Sequence, residues 1–240
     1  MASIHTADSG DLFISAGATL SEIANNDSVQ RSYPLLADAC AHDDAKVGAT
    51  SLAESITAPS KCIHTSDGVA CALSGTSICA AKDPSSRHHA IINGGLCWLA
   101  YTSLPGVALY ALDAVIEYGD GDRNGVMQRA RIPAHAAGGF QLLLQSRDQA
   151  PDVALISLAA VRRVDGDVRL VLGGVAPRPY RVYTSVEEEA MAGGLDEDTI
   201  AGLAERALLD ADSGAGSANK VDAAAALLRR AIEEIDGNSR

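Results

Sequence analysis

Four of the five cysteines in this 240-residue chain, Cys62, Cys71, Cys79 and Cys97, fall in one irregular stretch rich in small residues. Thiolates are soft ligands that suit iron, and an irregular backbone lets four of them converge as an iron–sulfur cluster requires. A structural zinc site made of four cysteines needs the same number of ligands, usually as two close pairs separated by two to four residues. The spacings here are 9, 8 and 18 residues, a poor match to that pattern. Two disulfides in an oxidising compartment stay open, although a fifth cysteine makes the pairing awkward. So does plain burial of the cysteines as small apolar side chains. Cys40 stands apart in a predicted helix. His88 and His89 are adjacent, so their side chains diverge and do not both serve one metal. No Gly-x-Ser-x-Gly elbow, Walker loop, Gly-x-Gly-x-x-Gly fingerprint or His-Glu-x-x-His pair is present. With no nucleophile–base pair, any reaction would rest on a cofactor rather than on bond-making side chains.

The elements around this stretch are readable from periodicity and caps. Residues 11–18 predict a short strand, and Thr19-Leu-Ser-Glu22 has the capping-box pattern that starts a helix. Asn25-Asn26-Asp27 breaks that helix, and a second is predicted from Tyr33 to Ala41, with Leu35, Leu36 and Ala39 facing inward. Ser103-Leu-Pro-Gly predicts an N-cap followed by an early proline, with the helix running on through Leu112. Val115–Tyr118 predicts a strand, and Gly119–Gly125 a turn cluster that marks a boundary between two units. Residues 140–144, 153–161 and 168–172 predict three strands, the last two joined at Asp165-Gly166, a strong hairpin signal. Ser185 and Asp196 are expected to cap helices, Glu187–Glu189 to form a solvated first turn, and Val221–Ile235 to form a long amphipathic helix with Arg229-Arg230 exposed near its end. Strands in succession followed by helices in succession predict an α+β class.

Composition narrows the function classes. There are 19 basic and 31 acidic residues, a formal charge of −12, which argues against nucleic-acid and anionic-membrane partners. Aromatics make up only 4%, too few for a base- or sugar-stacking surface. No apolar run approaches the roughly 20 residues of a bilayer span, so no membrane insertion is expected. The start, Met1-Ala-Ser-Ile-His5, lacks the basic and apolar regions of a secretory signal.

The residues around the cysteines carry a resemblance. Cys79, Arg87-His88-His89-Ala-Ile-Ile92, Gly94-Gly95-Leu-Cys97-Trp98 and Ala108–Ala114 together resemble the FAD-binding medium subunit of xanthine dehydrogenase-type molybdenum hydroxylases. They are most similar to the flavin subunit of the periplasmic aldehyde oxidoreductases, which carries an extra [4Fe-4S] cluster in an insert. The segments Leu172-Gly-Gly-Val-Ala-Pro-Arg-Pro-Tyr-Arg181 and Gly216-Ser-Ala-Asn-Lys-Val221 with Leu228-Arg-Arg230 extend the resemblance to the C-terminal half. It implies that Cys62, Cys71, Cys79 and Cys97 hold the cluster and that Cys40 does not. It also implies that His88-His89 packs beside the cluster and that Trp98 shields it from water.

The same resemblance implies the second subdomain of a PCMH-type FAD-binding fold over 1–122, with a cysteine-rich insert at 55–98. A CO-dehydrogenase-flavoprotein-like C-terminal domain, a three-stranded antiparallel sheet with helices, would occupy 123–240. FAD is the family's second cofactor, and Gly48, Thr50, Ser51 and Ser103 stand at degenerate versions of its contacts. The family's Gly-Thr-x-Gly-Gly-Asn-Leu loop reads Gly48-Ala-Thr-Ser-Leu52 here, and its Pro-Ser-Asp reads Thr102-Ser-Leu104. Gln145 stands where the family has a lysine, and the N-terminal FAD subdomain has no counterpart in the chain. Loss or severe weakening of flavin binding by the isolated chain is therefore expected. The expected function is an electron-transfer subunit of an aldehyde- or N-heterocycle-oxidising complex, partnered by a molybdopterin-binding large subunit and a [2Fe-2S] small subunit. The expected location is cytoplasmic by default, or periplasmic where a partner's export signal carries the complex. The alternative is a non-catalytic scaffold, or a truncated remnant that has lost FAD, with its cysteines structural or zinc-binding.

Overall fold

The protein is described here from a computed structural model that covers residues 3–47, 50–57, 79–92, 97–119, 126–147, 154–212, 214 and 217–237. Its elements stack as sheet, helices, sheet, helices. The first sheet comprises β1 (Ile4–Thr6), β2 (Leu12–Ser15), β3 (Val115–Tyr118) and β4 (Met127–Ile132), antiparallel in the order β1-β2-β4-β3. Leu12 and Ile14 lie opposite Ile132 and Ala130, so alternation puts one apolar face on the core. On the other face the Arg129 guanidinium lies 4.5 Å over the Phe13 ring and bonds Glu117 at 2.6 Å. β4 lies past residue 122, so this sheet draws strands from both sides of the expected boundary; of the turn cluster itself, residues 120–125 are outside the described residues.

The helical layer beneath it contains α1 (Leu20–Ala24), α2 (Asp27–Ser32), α3 (Pro34–Val47), α4 (Leu52–Thr57) and α5 (Leu104–Ala111). The capping box forms as the sequence predicts: the Glu22 amide donates to Thr19 Oγ1 at 3.1 Å, and the Thr19 amide to Glu22 Oε2 at 2.8 Å. α2 occupies part of the expected break, because Asn26 Oδ1 accepts from the Ser28 and Val29 amides and starts a new turn. The helix predicted to end at Ala41 continues to Val47. Ser103 caps α5 through the Gly106 amide at 3.1 Å, and a side chain at Gly106 would overlap the Tyr101 phenol.

The second sheet, β5 (Phe140–Arg147), β6 (Ala154–Arg162), β7 (Val168–Gly173) and β8 (Tyr180–Arg181), is antiparallel in sequential order. The Asp165-Gly166 hairpin forms, with Gly166 at φ +94°, and β8 adds a fourth short strand to the three expected. Ala159, Val161 and Val171 face the first helical layer. Leu158, Ala160, Leu170 and Leu172 face the last layer, formed by α6 (Thr184–Ala190), α7 (Glu197–Ala207) and α8 (Ala218–Gly237). Burial on both faces explains why residues 154–161 read as an almost unbroken apolar run.

Two expectations about α6 are corrected. Tyr183, not Ser185, is the N-cap, and no side chain caps the helix. Glu187 is not solvated: its side chain is 2% exposed, and it bonds Arg181 Nη2 at 2.6 Å and the Leu170 amide at 2.9 Å. Because α6 is packed on β7, its first turn faces the sheet, and a carboxylate there survives only by meeting both donors.

Candidate metal centre

Cys79 and Cys97 are described; Cys62, Cys71 and Gly48 lie outside the described residues. Cys79 is the N-cap of a single 3-10 turn, Ala80–Lys82, whose Ala81 carbonyl lies 2.8 Å from His89 Nδ1. Cys97 opens a short extended segment that pairs antiparallel with residues 88–90. The Ala90 amide donates to the Trp98 carbonyl at 2.7 Å and the Ala100 amide to the His88 carbonyl at 2.8 Å. The Trp98 indole stacks on the His89 ring, centroids 5.3 Å apart. His89 thus fastens both cysteine arms, one by a hydrogen bond and one by a ring contact.

The Leu99 amide donates to Cys97 Sγ at 3.5 Å. Cys79 and Cys97 are half-buried and carry no disulfide, whereas Cys40 is fully buried in the first core. Among the described residues no three His, Cys, Asp or Glu side chains converge, so this part of the chain supplies two thiols. A carbonyl only accepts, so His89 Nδ1 carries the proton it gives to Ala81. His89 is fully buried, and its Nε2 has no hydrogen-bond partner among the described residues; His88 points out to solvent.

The Gly173-Gly-Val-Ala176 turn holds the base of both arms. Val175 accepts from the Ile92 amide at 2.8 Å, Ala176 from the Tyr101 amide at 2.7 Å, and the Gly174 amide donates to Tyr101 at 2.7 Å. Gly174 sits at φ +84°, where a Cβ would strike the Leu155 carbonyl, so the motif's glycine is a steric requirement. Lys220, 5% exposed, enters from the first turn of α8 and donates to the His89 carbonyl at 2.6 Å and the Gly174 carbonyl at 3.3 Å. Burial, reinforced by the Arg87 charge, pulls its ammonium down to about 8. The sequence placed Lys220 in a motif but assigned it no role. The available signal was its register: Lys220, Ala224, Leu227 and Ala231 form one buried stripe, so a charge sits where the stripe calls for an apolar residue.

The other candidate positions are engaged within the fold. The Thr50 carbonyl accepts from the Leu20 amide at 2.9 Å. The Ser51 amide and hydroxyl both donate to Glu54 Oε2, at 2.9 and 2.8 Å. Ser103, besides capping α5, lies 3.3 Å from Ser55 Oγ, which donates to Asp43. Gln145 Oε1 is buried without a partner among the described residues, on β5 opposite Ser157.

No protein-family model matches the chain. It is 28% identical over 230 residues to the aldehyde oxidoreductase FAD-binding subunit PaoB of Escherichia coli (strain K12), covering 82% of this chain and 72% of that protein. Its fold matches a chain of the carbon monoxide dehydrogenase of Hydrogenophaga pseudoflava with a TM-score of 0.60, at 20% identity, over 96% of this chain and 76% of that one. It also matches a chain of the quinoline 2-oxidoreductase of Pseudomonas putida 86 with a TM-score of 0.59, at 18% identity, over 98% and 78%. The resemblance read from the sequence and the α+β class with antiparallel sheets are both borne out. Among the described residues, no helix is long and apolar enough to cross a membrane.

Proposed function

On the premise that this chain resembles the FAD-binding subunits of molybdenum hydroxylases in sequence and in fold, we propose that it is an electron-transfer subunit of such an oxidoreductase. In this reading Cys62, Cys71, Cys79 and Cys97 hold a [4Fe-4S] cluster. Its partners in this reading are a molybdopterin-binding large subunit and a [2Fe-2S] small subunit, and the oxidised substrate is an aldehyde or N-heterocycle. The observation that carries the reading is the fastening of the Cys79 and Cys97 arms to one buried histidine, which fixes two unpaired, half-buried thiols on a rigid base. Bound there, a cluster would supply one-electron transfer. The chain's own part is to orient the thiols, to cover the site with Trp98, and to anchor both arms on the Gly173–Ala176 turn.

FAD fits the described positions poorly. A pyrophosphate needs free N–H donors, yet the Ser51 amide and hydroxyl are already closed by Glu54, whose carboxylate would also repel it. The Ser103 hydroxyl is buried as a cap. The test is iron and acid-labile sulfide per chain after anaerobic purification. About four of each, lost in Cys71→Ala or Cys97→Ala, is the expected result; a colourless protein without iron overturns the relay and leaves the scaffold reading.

A further inference from the structure

Lys220 is a cation buried at a joint, and among the described residues no carboxylate accepts from it. Its ammonium bonds only the His89 and Gly174 carbonyls, one from each of two separate segments. The start of α8 and the chain leading into it hold residues 89–92 twice: Lys220 grips the His89 carbonyl, and the Asp212 amide donates to the Ile91 carbonyl at 2.7 Å. The groups facing the ammonium do not neutralise it. Arg87, from the 79–92 segment, has the same sign. His88 is lowered by burial and by the Arg87 and Lys220 charges, so it is neutral above pH 7. The Gly173–Ala176 turn brings no charge, and Ile91, Ala224, Leu227 and Leu228 are apolar. Asp212 is exposed and turns its carboxylate to the Gly214 amide at 2.9 Å, while Asp222 on α8 is exposed. Taking an ammonium out of water costs several kcal/mol, which two carbonyl dipoles offset only in part.

We propose that the joint between the start of α8 and residues 89–92 is a proton-sensitive latch with Lys220 as its titrating group: a proton on the amine loosens the joint, and its loss seats it. The latch needs no metal at the cysteines. When the joint opens, the ammonium regains water; when it closes, the charge is stripped of water and gains no opposite charge. The open state therefore holds the proton more tightly than the closed one, and each proton bound works against docking. Burial and the Arg87 charge pull the closed-state ammonium from 10.5 down to about 8. A lowered value for a base means that the open or unfolded chain carries more protons between about pH 8 and 10.5, so docking strengthens as pH rises through that window. An amine without its extra proton still donates to both carbonyls, so the bonds survive while the desolvation cost is removed.

The test compares the full-length wild-type chain with Lys220→Met, Lys220→Gln and Lys220→Arg at about pH 7.5 and about pH 9.5. Urea titrations give the unfolding constant, and hydrogen exchange, corrected for the intrinsic rate at each pH, gives the opening constant at the Ile92 and Asp212 amides. In wild type both constants are expected to fall about tenfold more than in Lys220→Met between the two conditions. Lys220→Gln keeps a donor for the carbonyls without a titrating group; it is expected to move with Lys220→Met and carries the comparison if the methionine variant does not fold. Lys220→Arg, charged at both values, is expected to lack the fall as well. Cysteine and tyrosine titrations are common to all four proteins and cancel in the difference. A purely structural lysine would leave each variant weaker by the same factor at both values, and that result overturns the latch. So does a fall in the wild-type unfolding constant without one at Ile92 and Asp212, which puts the linkage elsewhere in the fold.

Discussion

Replacing Glu187 by alanine removes one carboxylate that satisfies donors on two residues, Leu170 and Arg181. The Leu170 amide, buried on β7, is left without its 2.9 Å acceptor, a loss of about 1–3 kcal/mol. Arg181 loses both its Nη2 contact at 2.6 Å and its Nε contact at 3.0 Å. Breaking a fully buried pair costs about 3–5 kcal/mol, but the Arg181 side chain is 30% exposed and rehydrates, so its share falls toward the roughly 1 kcal/mol of a surface pair. The sum is about 3 kcal/mol. For a chain of this length each kcal/mol moves Tm by about 2–4 °C, which gives a drop of about 6–12 °C. Circular dichroism melts and urea titrations of Glu187→Ala, with the exposed Glu188→Ala as control, read this directly. Glu187→Gln retains an acceptor for Leu170 and is expected to lose about 1 kcal/mol. A Glu187→Ala loss no larger than that of the control, within about 0.5 kcal/mol, would refute the reasoning and return Glu187 to the solvated role.

Asp113 should govern acid stability. Burial opposes its charge, but hydrogen bonds and charges from Arg163 and Arg169, with His135, hold its carboxyl below the usual carboxylate range. A depressed folded value means its contribution is complete above the unfolded value near about 4 and is lost as pH falls below that. Urea midpoints measured between about pH 6 and pH 3 should therefore fall in wild type and flatten in Asp113→Asn, a substitution chosen because asparagine tolerates the φ of +57° found there. An identical slope in the two proteins would count against the clamp. Gly174→Ala should lose at least about 1–2 kcal/mol from its left-handed backbone alone, with more from the clash at Leu155, seen as a lowered Tm.

Local signals transferred well from sequence to structure because they depend on neighbours in the chain. The Thr19–Glu22 box, the Ser103 cap, the Asp165-Gly166 hairpin and the Asp196 cap, which accepts from Thr199 at 2.8 Å, are all decided within a few residues. Glu187 was misread because its partners come from other strands: nothing in a Glu-Glu-Glu run says which carboxylate meets an arginine on β8. Ser185 failed as a cap for a related reason, since packing of α6 on β7 drew Thr184 into the helix. At the candidate site, cysteine type and spacing left a cluster, zinc, disulfides and plain burial open, and Cys62 and Cys71 lie outside the described residues. The role of His89 as a joint between two arms, and the reach of Lys220 across 131 positions to its carbonyl, exist only in three dimensions.

The second sheet is a party wall. Its β6 strand gives Ala159 and Val161 to one core and Leu158 and Ala160 to the other, so neither half has a finished interior without it. Cutting the chain on either side would leave one fragment with a bare apolar face, and the two halves should melt together rather than in sequence. Among the described residues, the shared wall also leaves no hinge between the halves. A partner docked on the first sheet and one docked on the last helices would keep a constant separation, and electron transfer is a process in which distance sets the rate.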